Sequence, residues 1–164
     1  MHFKKCFYIT VLLALISFGG SSSNAGDDLQ SKANDHLVTK QSPYSVAVTL
    51  DRLTSILTAK GLTIFARIDH SAGAANVGLE MLPTQLLIFG NPKTGTPLMQ
   101  SNRTVGFDLP LKALAWRDEA GQVWLAYTSP KALKQRYHIE DQDGIFAKIT
   151  GALDKITDAA LKGE

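Results

Sequence analysis

A histidine next to a carboxylate, with two further acids along the chain, is the plainest source of chemistry here: Asp69-His70, Glu80 and Asp108. Imidazole titrates near neutrality, so His70 with Glu80 or Asp108 reads as an acid/base couple. Asp69 is a poorer partner, because neighbouring residues on a strand point to opposite faces. No serine motif accompanies His70, and Cys6, just ahead of the apolar Phe7–Phe18 run, is expected to leave with a cleaved signal. His36, His70 and His138 lack metal-ligand spacing of the H-x-x-x-H kind, so no metal is expected. Met81 and Met99 offer soft sulfur, and His70 with Met99 is the pair a haem- or copper-handling protein would use. No C-x-x-C-H is present, isolated methionines more often fill cores, and no cofactor is expected.

The second cluster is the run Leu86-Leu87-Ile88-Phe89-Gly90-Asn91-Pro92-Lys93-Thr94-Gly95-Thr96-Pro97-Leu98-Met99. Gly90 and Gly95 invite a phosphate-loop reading, but a Walker loop needs Lys and Ser/Thr after its second glycine. Thr96-Pro97 stand there instead, and Pro97 has no N–H to give. A weaker anion site survives: Asn91, Lys93 and the Thr94, Gly95 and Thr96 backbone at a helix start, joined to His70, would hold a small carboxylate or phosphate. The bland alternative is a strand-to-helix turn whose Gly, Asn and Pro serve the backbone alone.

These residues need elements to position them. Leu37 to Gln41 predicts a short strand, and Ser45 caps a helix whose Val46, Leu50, Leu53 and Leu57 share one face, with Gly61 as its stop. Leu62, Ile64, Ala66 and Ile68 alternate as a half-buried strand, with His70 on the same parity; Ser71 to Asn76 is a loop or short helix. The unbroken run Thr84 to Phe89 predicts a strand covered on both faces. Thr96 as cap and Pro97 at the first helical position predict a helix to about Asn102. Leu111 to Arg117 and Gln122 to Thr128 form a hairpin carrying Trp116, Trp124 and Tyr127. Trp116 and Trp124 belong by default in the core, or else line a ligand groove or dimer face. Ser129-Pro130 opens a helix through Arg136, and a last helix from about Asp143 buries Ile145, Ile149, Leu153, Ile156 and Ala160. A mostly antiparallel sheet with helices on one face makes the fold α+β.

At the amino terminus, Lys4 and Lys5 precede an apolar core from Phe7 to Phe18, followed by Ser23-Asn24-Ala25. That is the pattern of a secretory signal cleaved after Ala25, with residues 26–35 a polar tether and 36–164 one domain. The expected product is periplasmic or secreted, lacks cysteine and touches the membrane only during export. Loss of Lys4 and Lys5 takes the formal charge of +2 close to zero. No basic stripe is left for nucleic acid.

Ser42-Pro43-Tyr44, Gly61-Leu62, Ile68-Asp69-His70, Pro83-Thr84, the Gly90–Met99 run, Asp108-Leu109-Pro110-Leu111 and Tyr127 occur in an order that resembles the family known as domain of unknown function 302. The resemblance covers about Leu37 to Leu161 and implies a β-α-β4-α arrangement like that of the TATA-binding protein, with homodimers. Val48 departs from it, where an acidic capping-box residue is expected. Without a complete catalytic set, the expected function is an exported binding module for a small anionic molecule or a protein partner. An enzyme built on His70, or a haem- or copper-handling protein, is the alternative.

Overall fold

The computed structural model describes residues 36–163; the expected signal sequence with Cys6, the expected tether over 26–35 and Glu164 lie outside them. Helix α1 (Val46–Ala59) begins where the Ser45 hydroxyl accepts from the Val48 N–H at 3.3 Å. Valine at that position returns no side-chain bond to Ser45, so the cap is one-sided. The helix stops at Gly61, whose φ of +75° suits glycine. There Gly61 N–H donates to the Thr58 carbonyl and Leu62 N–H to the Leu57 carbonyl, a Schellman closure.

Five strands form one antiparallel sheet: β1 (Leu37–Ser42), β2 (Thr63–Asp69), β3 (Thr84–Gly90), β4 (Leu111–Arg117) and β5 (Val123–Thr128). Their spatial order is β1-β5-β4-β3-β2, so the two strands joined through α1 form the two edges. Helix α5 (Asp143–Leu161) packs beside α1 on one face of the sheet. Between helices and sheet lie Leu50, Leu53 and Leu57 of α1, Leu87 and Phe89 of β3, Leu125 and Tyr127 of β5, and Leu153 and Ile156 of α5. Each buried Leu, Ile or Phe there stabilises the fold by about 1.5–3 kcal/mol over its exposed state. Short helices α2 (His70–Asn76), α3 (Pro92–Ser101) and α4 (Pro130–Arg136) complete the α+β domain. A second apolar cluster of Leu98, Val105, Leu133, Ile139 and Phe146 ties α3 and α4 to α5.

Four expectations need correction. In β2 the register slips between Ile64 and Ala66, so Phe65 is an extra, bulged residue. Ile64 pairs with buried Phe89, but Ala66 and Ile68 pair with Ile88 and Leu86 on the opposite face. The alternating set therefore splits between two faces. In β3, Leu87 and Phe89 are buried while Leu86 and Ile88 are only half-buried, so the described chain covers one face. Trp116 and Trp124 pair across β4 and β5 on that open face, outside the core. Tyr127 points the other way and donates its hydroxyl to Asp154 Oδ1 at 2.7 Å. Burial first, and then the Asp154 carboxylate, push that phenol well above its ordinary pKa. Finally, Ser129 makes no side-chain cap to α4, although Pro130 does take the first helical position.

Candidate functional site

Asn91, not Thr96, caps α3. Its Oδ1 accepts from Lys93 N–H at 2.9 Å, and its carbonyl accepts from Thr94 N–H at 3.0 Å and Gly95 N–H at 2.9 Å. Pro92 occupies the first position and has no N–H. The backbone donors assigned to an anion at Thr94 and Gly95 are thus already engaged, and Thr96 lies a turn inside the helix. Pro97 sits within α3 and gives no N–H donor to its hydrogen-bond ladder. Gly95 has no positive φ, and a Cβ there would meet Leu109 Cδ1 at an ordinary 3.8 Å. What remains available to a ligand from this segment is the Lys93 ammonium, the Asn91 side-chain nitrogen and the exposed Thr96 hydroxyl.

His70 does not join them. Thr63 pairs with Gly90 at one end of β2 and Asp69 with Gln85 at the other, so the strand's seven residues separate His70 from the loop. At the usual rise that is roughly 20 Å. His70 is exposed at the start of α2 and continues no buried strand. Asp69 is the cap of that helix: its Oδ1 accepts from Ser71 Oγ at 2.6 Å and Ala72 N–H at 2.9 Å, and its Oδ2 from Gln85 at 2.8 Å. The Ser71 hydroxyl first, with the Ala72 N–H and Gln85, holds this carboxyl below its ordinary pKa. Glu80 is exposed on the β2–β3 connection, and Met81 beside it is 49% exposed.

Asp108 stands at the loop's end of the sheet, just before β4, where its Oδ2 accepts from Arg136 and from the Tyr137 hydroxyl, each at 2.7 Å. It anchors the end of α4, and the His70–Asp108 couple is overturned by the same separation. Met99 also lies at the loop's end, so His70 and Met99 cannot share one metal or haem.

At the loop's end a cavity of about 520 Å³ opens between α3, α5 and the ends of β2, β3 and β4. Its apolar wall includes Leu62, Phe65, Leu98, Met99, Pro110, Leu111, Ile149, Leu153 and Ile156. Lys60, Lys93 and Lys148 bring three ammonium groups to the same lining, which contains no acidic residue. All three lysines are exposed, and none forms an ion pair among the described residues. An apolar body with an anionic end suits such a place. A second cavity, of about 480 Å³, lies at the far end of the sheet beside Tyr44, Pro83 and Arg117. It has no such ring of lysines.

The loop itself was legible in the run after Phe89. Lys60 and Lys148 were not, since one precedes a helix stop and the other rides the polar face of α5. Only the packing of α5 over the strand ends brings them together.

Among known proteins, the family described as a domain of unknown function, DUF302, matches residues 38–156. Proteins named fluoride-specific ion channel FluC 1 from Brucella suis biovar 1 and Brucella abortus biovar 1 are 42% identical over 149 residues. The match takes in 88% of this chain but only 58% and 55% of those proteins, so the chain spans little more than half their length. A crystal structure of an uncharacterized conserved DUF302 protein from Bacillus stearothermophilus superposes with a TM-score of 0.69. That likeness covers 76% of this chain and 98% of the other at 21% identity, and carries the fold alone.

Proposed function

The chain belongs to the DUF302 family, and from that premise and its lysine-ringed cavity we propose that it binds small amphipathic anions, as an exported, twofold dimeric module cleaved after Ala25. The observation that carries this reading is the ring itself. Lys60, Lys93 and Lys148 come from three separate parts of the chain, face one apolar hollow and have no carboxylate among its lining. Unpaired ammonium groups around a hollow attract a carboxylate or phosphate, and the wall takes up an aliphatic or aromatic body. Lys93 and the Asn91 amide nitrogen hold the charged end. His70 has no part in it.

Calorimetric titration with decanoate, against decanol of the same chain length, tests the proposal. Decanoate should bind saturably and decanol much more weakly, and Lys93→Ala should weaken decanoate by about threefold to tenfold, the scale of one partly screened charge. No saturable decanoate binding in the wild type would end this reading.

The Brucella relatives favour a second reading, in which the domain assists fluoride handling. It assigns conduction to the portion of those proteins beyond the match. No helix among the described residues here is long and apolar enough to cross a membrane. Deleting the coding sequence should then raise the cell's sensitivity to fluoride, and an unchanged growth inhibition would refute it.

A further inference from the structure

Lys60, Lys93 and Lys148 gather where β2 begins and β3 finishes. Asp69, Glu80, Asp118 and Glu119 stand at the other end of the sheet together with Arg117, while Asp108 stands at the lysine end, outside the cavity lining and bonded to Arg136 and Tyr137. Phe65, the bulge residue, lines the cavity and remains 53% exposed. An exposed phenylalanine between unpaired lysines is a poor arrangement for capturing a fully hydrated ion, since the ring contributes nothing to it in water.

We infer that the lysine end docks on an anionic phospholipid surface, with the ammonium groups at the phosphates and Phe65 at the acyl boundary, so that the cavity takes its ligand from that surface. The inference deepens the amphipathic-anion reading above and rests on it. Charge complementarity selects the occupant. A sheet of phosphates matches several lysines at once, and the lining around these three holds no carboxylate to repel it. The apolar wall behind Phe65 then lies next to the layer in which acyl chains are found. Each lysine near such a surface strengthens binding by roughly fivefold, so the three together suffice for salt-sensitive, reversible attachment and fall short of permanent anchoring.

The test is flotation of the full chain with vesicles of phosphatidylglycerol or of phosphatidylcholine. Binding should favour phosphatidylglycerol, weaken with added salt and fall at least tenfold in a Lys60→Gln, Lys93→Gln, Lys148→Gln variant. An equal preference of wild type and this variant for phosphatidylglycerol over phosphatidylcholine overturns the inference. A second readout is local: in Phe65→Trp, brominated phosphatidylglycerol should quench the new indole, while the wild-type emission of Trp116 and Trp124 serves as reference. Absence of that extra quenching also counts against docking at this end. Decanoate titration without vesicles separates the two ideas. Saturable decanoate binding with no preference for anionic vesicles leaves the cavity reading standing and rejects the surface. Failure of both rejects both.

Discussion

Asp69 reads in sequence as a catalytic neighbour and in the structure as a helix cap, and the difference has consequences that can be measured. Its carboxylate accepts from Ser71, Ala72 and Gln85, which lowers its folded pKa below the unfolded value. A group depressed in this way contributes stability that is complete above the unfolded pKa and is lost as pH falls through the folded one. Helix α2 should therefore keep its amide protection through neutral and mildly acidic pH and lose it only below the ordinary aspartate range, about pH 4. Hydrogen exchange of Ala72 and its neighbours against pH checks this; protection already fading at pH 6 would contradict the cap. His70, one residue on, is expected to be silent in ligand binding. His70→Ala should leave decanoate affinity within about twofold of wild type, because the strand's length stands between it and the lysines. A larger loss, measured beside Lys93→Ala, would restore His70 to the site.

Elements show where pattern reading succeeds and where it must fail. Helices α1 and α5 follow from apolar spacing, since each buries one face against the same core, whereas the unbroken run of β3 marks a strand without marking which face is covered. Two cap-plus-proline signals five residues apart, Asn91-Pro92 and Thr96-Pro97, compete for the start of α3. Pro97 at the first helical position favours the later start, yet the Asn91 side chain and carbonyl together satisfy the earlier one. The Phe65 bulge had no local signal at all, because it is set by pairing with β3. With it went the facing of Ala66 and Ile68 and the placing of Phe65 on the cavity wall. The two caps make opposite demands on stability. Asn91→Ala should cost about 1 kcal/mol in urea unfolding, the typical worth of an N-cap. Thr96→Ala should stay within about 0.5 kcal/mol, as expected for an exposed side chain away from a cap. The reverse order would return the helix start to Thr96.

At the scale of the molecule the sheet has a face that no described element fully covers. Leu86, Ile88, Leu114, Ala126, Trp116 and Trp124 share it, joined across strands as Leu86 with Leu114, Leu114 with Ala126 and Trp116 with Trp124. At its edges Ile68 is 39% and Leu37 50% exposed, and beyond α2 Val77 and Leu79 reach 72% and 65%. A second copy placed face to face about a twofold axis is the simplest cover, as both partners offer the same apolar patch. The available area sets how tightly it can hold. Five strands at their usual spacing, six residues long, present roughly 500 Å², whereas stable interfaces use about 800 Å² per partner. The sheet by itself thus supports a weak dimer, and Val77 and Leu79 must add contact for a firm one. The expected result is a concentration-dependent dimer in light scattering, with a midpoint near the micromolar range. Leu114→Glu, at the centre of the face, should give a folded monomer by placing an unpaired carboxylate in the contact. Leu79→Ser should shift the midpoint upward by about tenfold if the segment after α2 completes the interface. Monomer at all concentrations for the wild type, or a dimer indifferent to Leu114→Glu, would remove the open face from the assembly. The lysine-lined cavity lies on the helix side of the sheet, so decanoate affinity should be the same in the Leu114→Glu monomer as in the dimer.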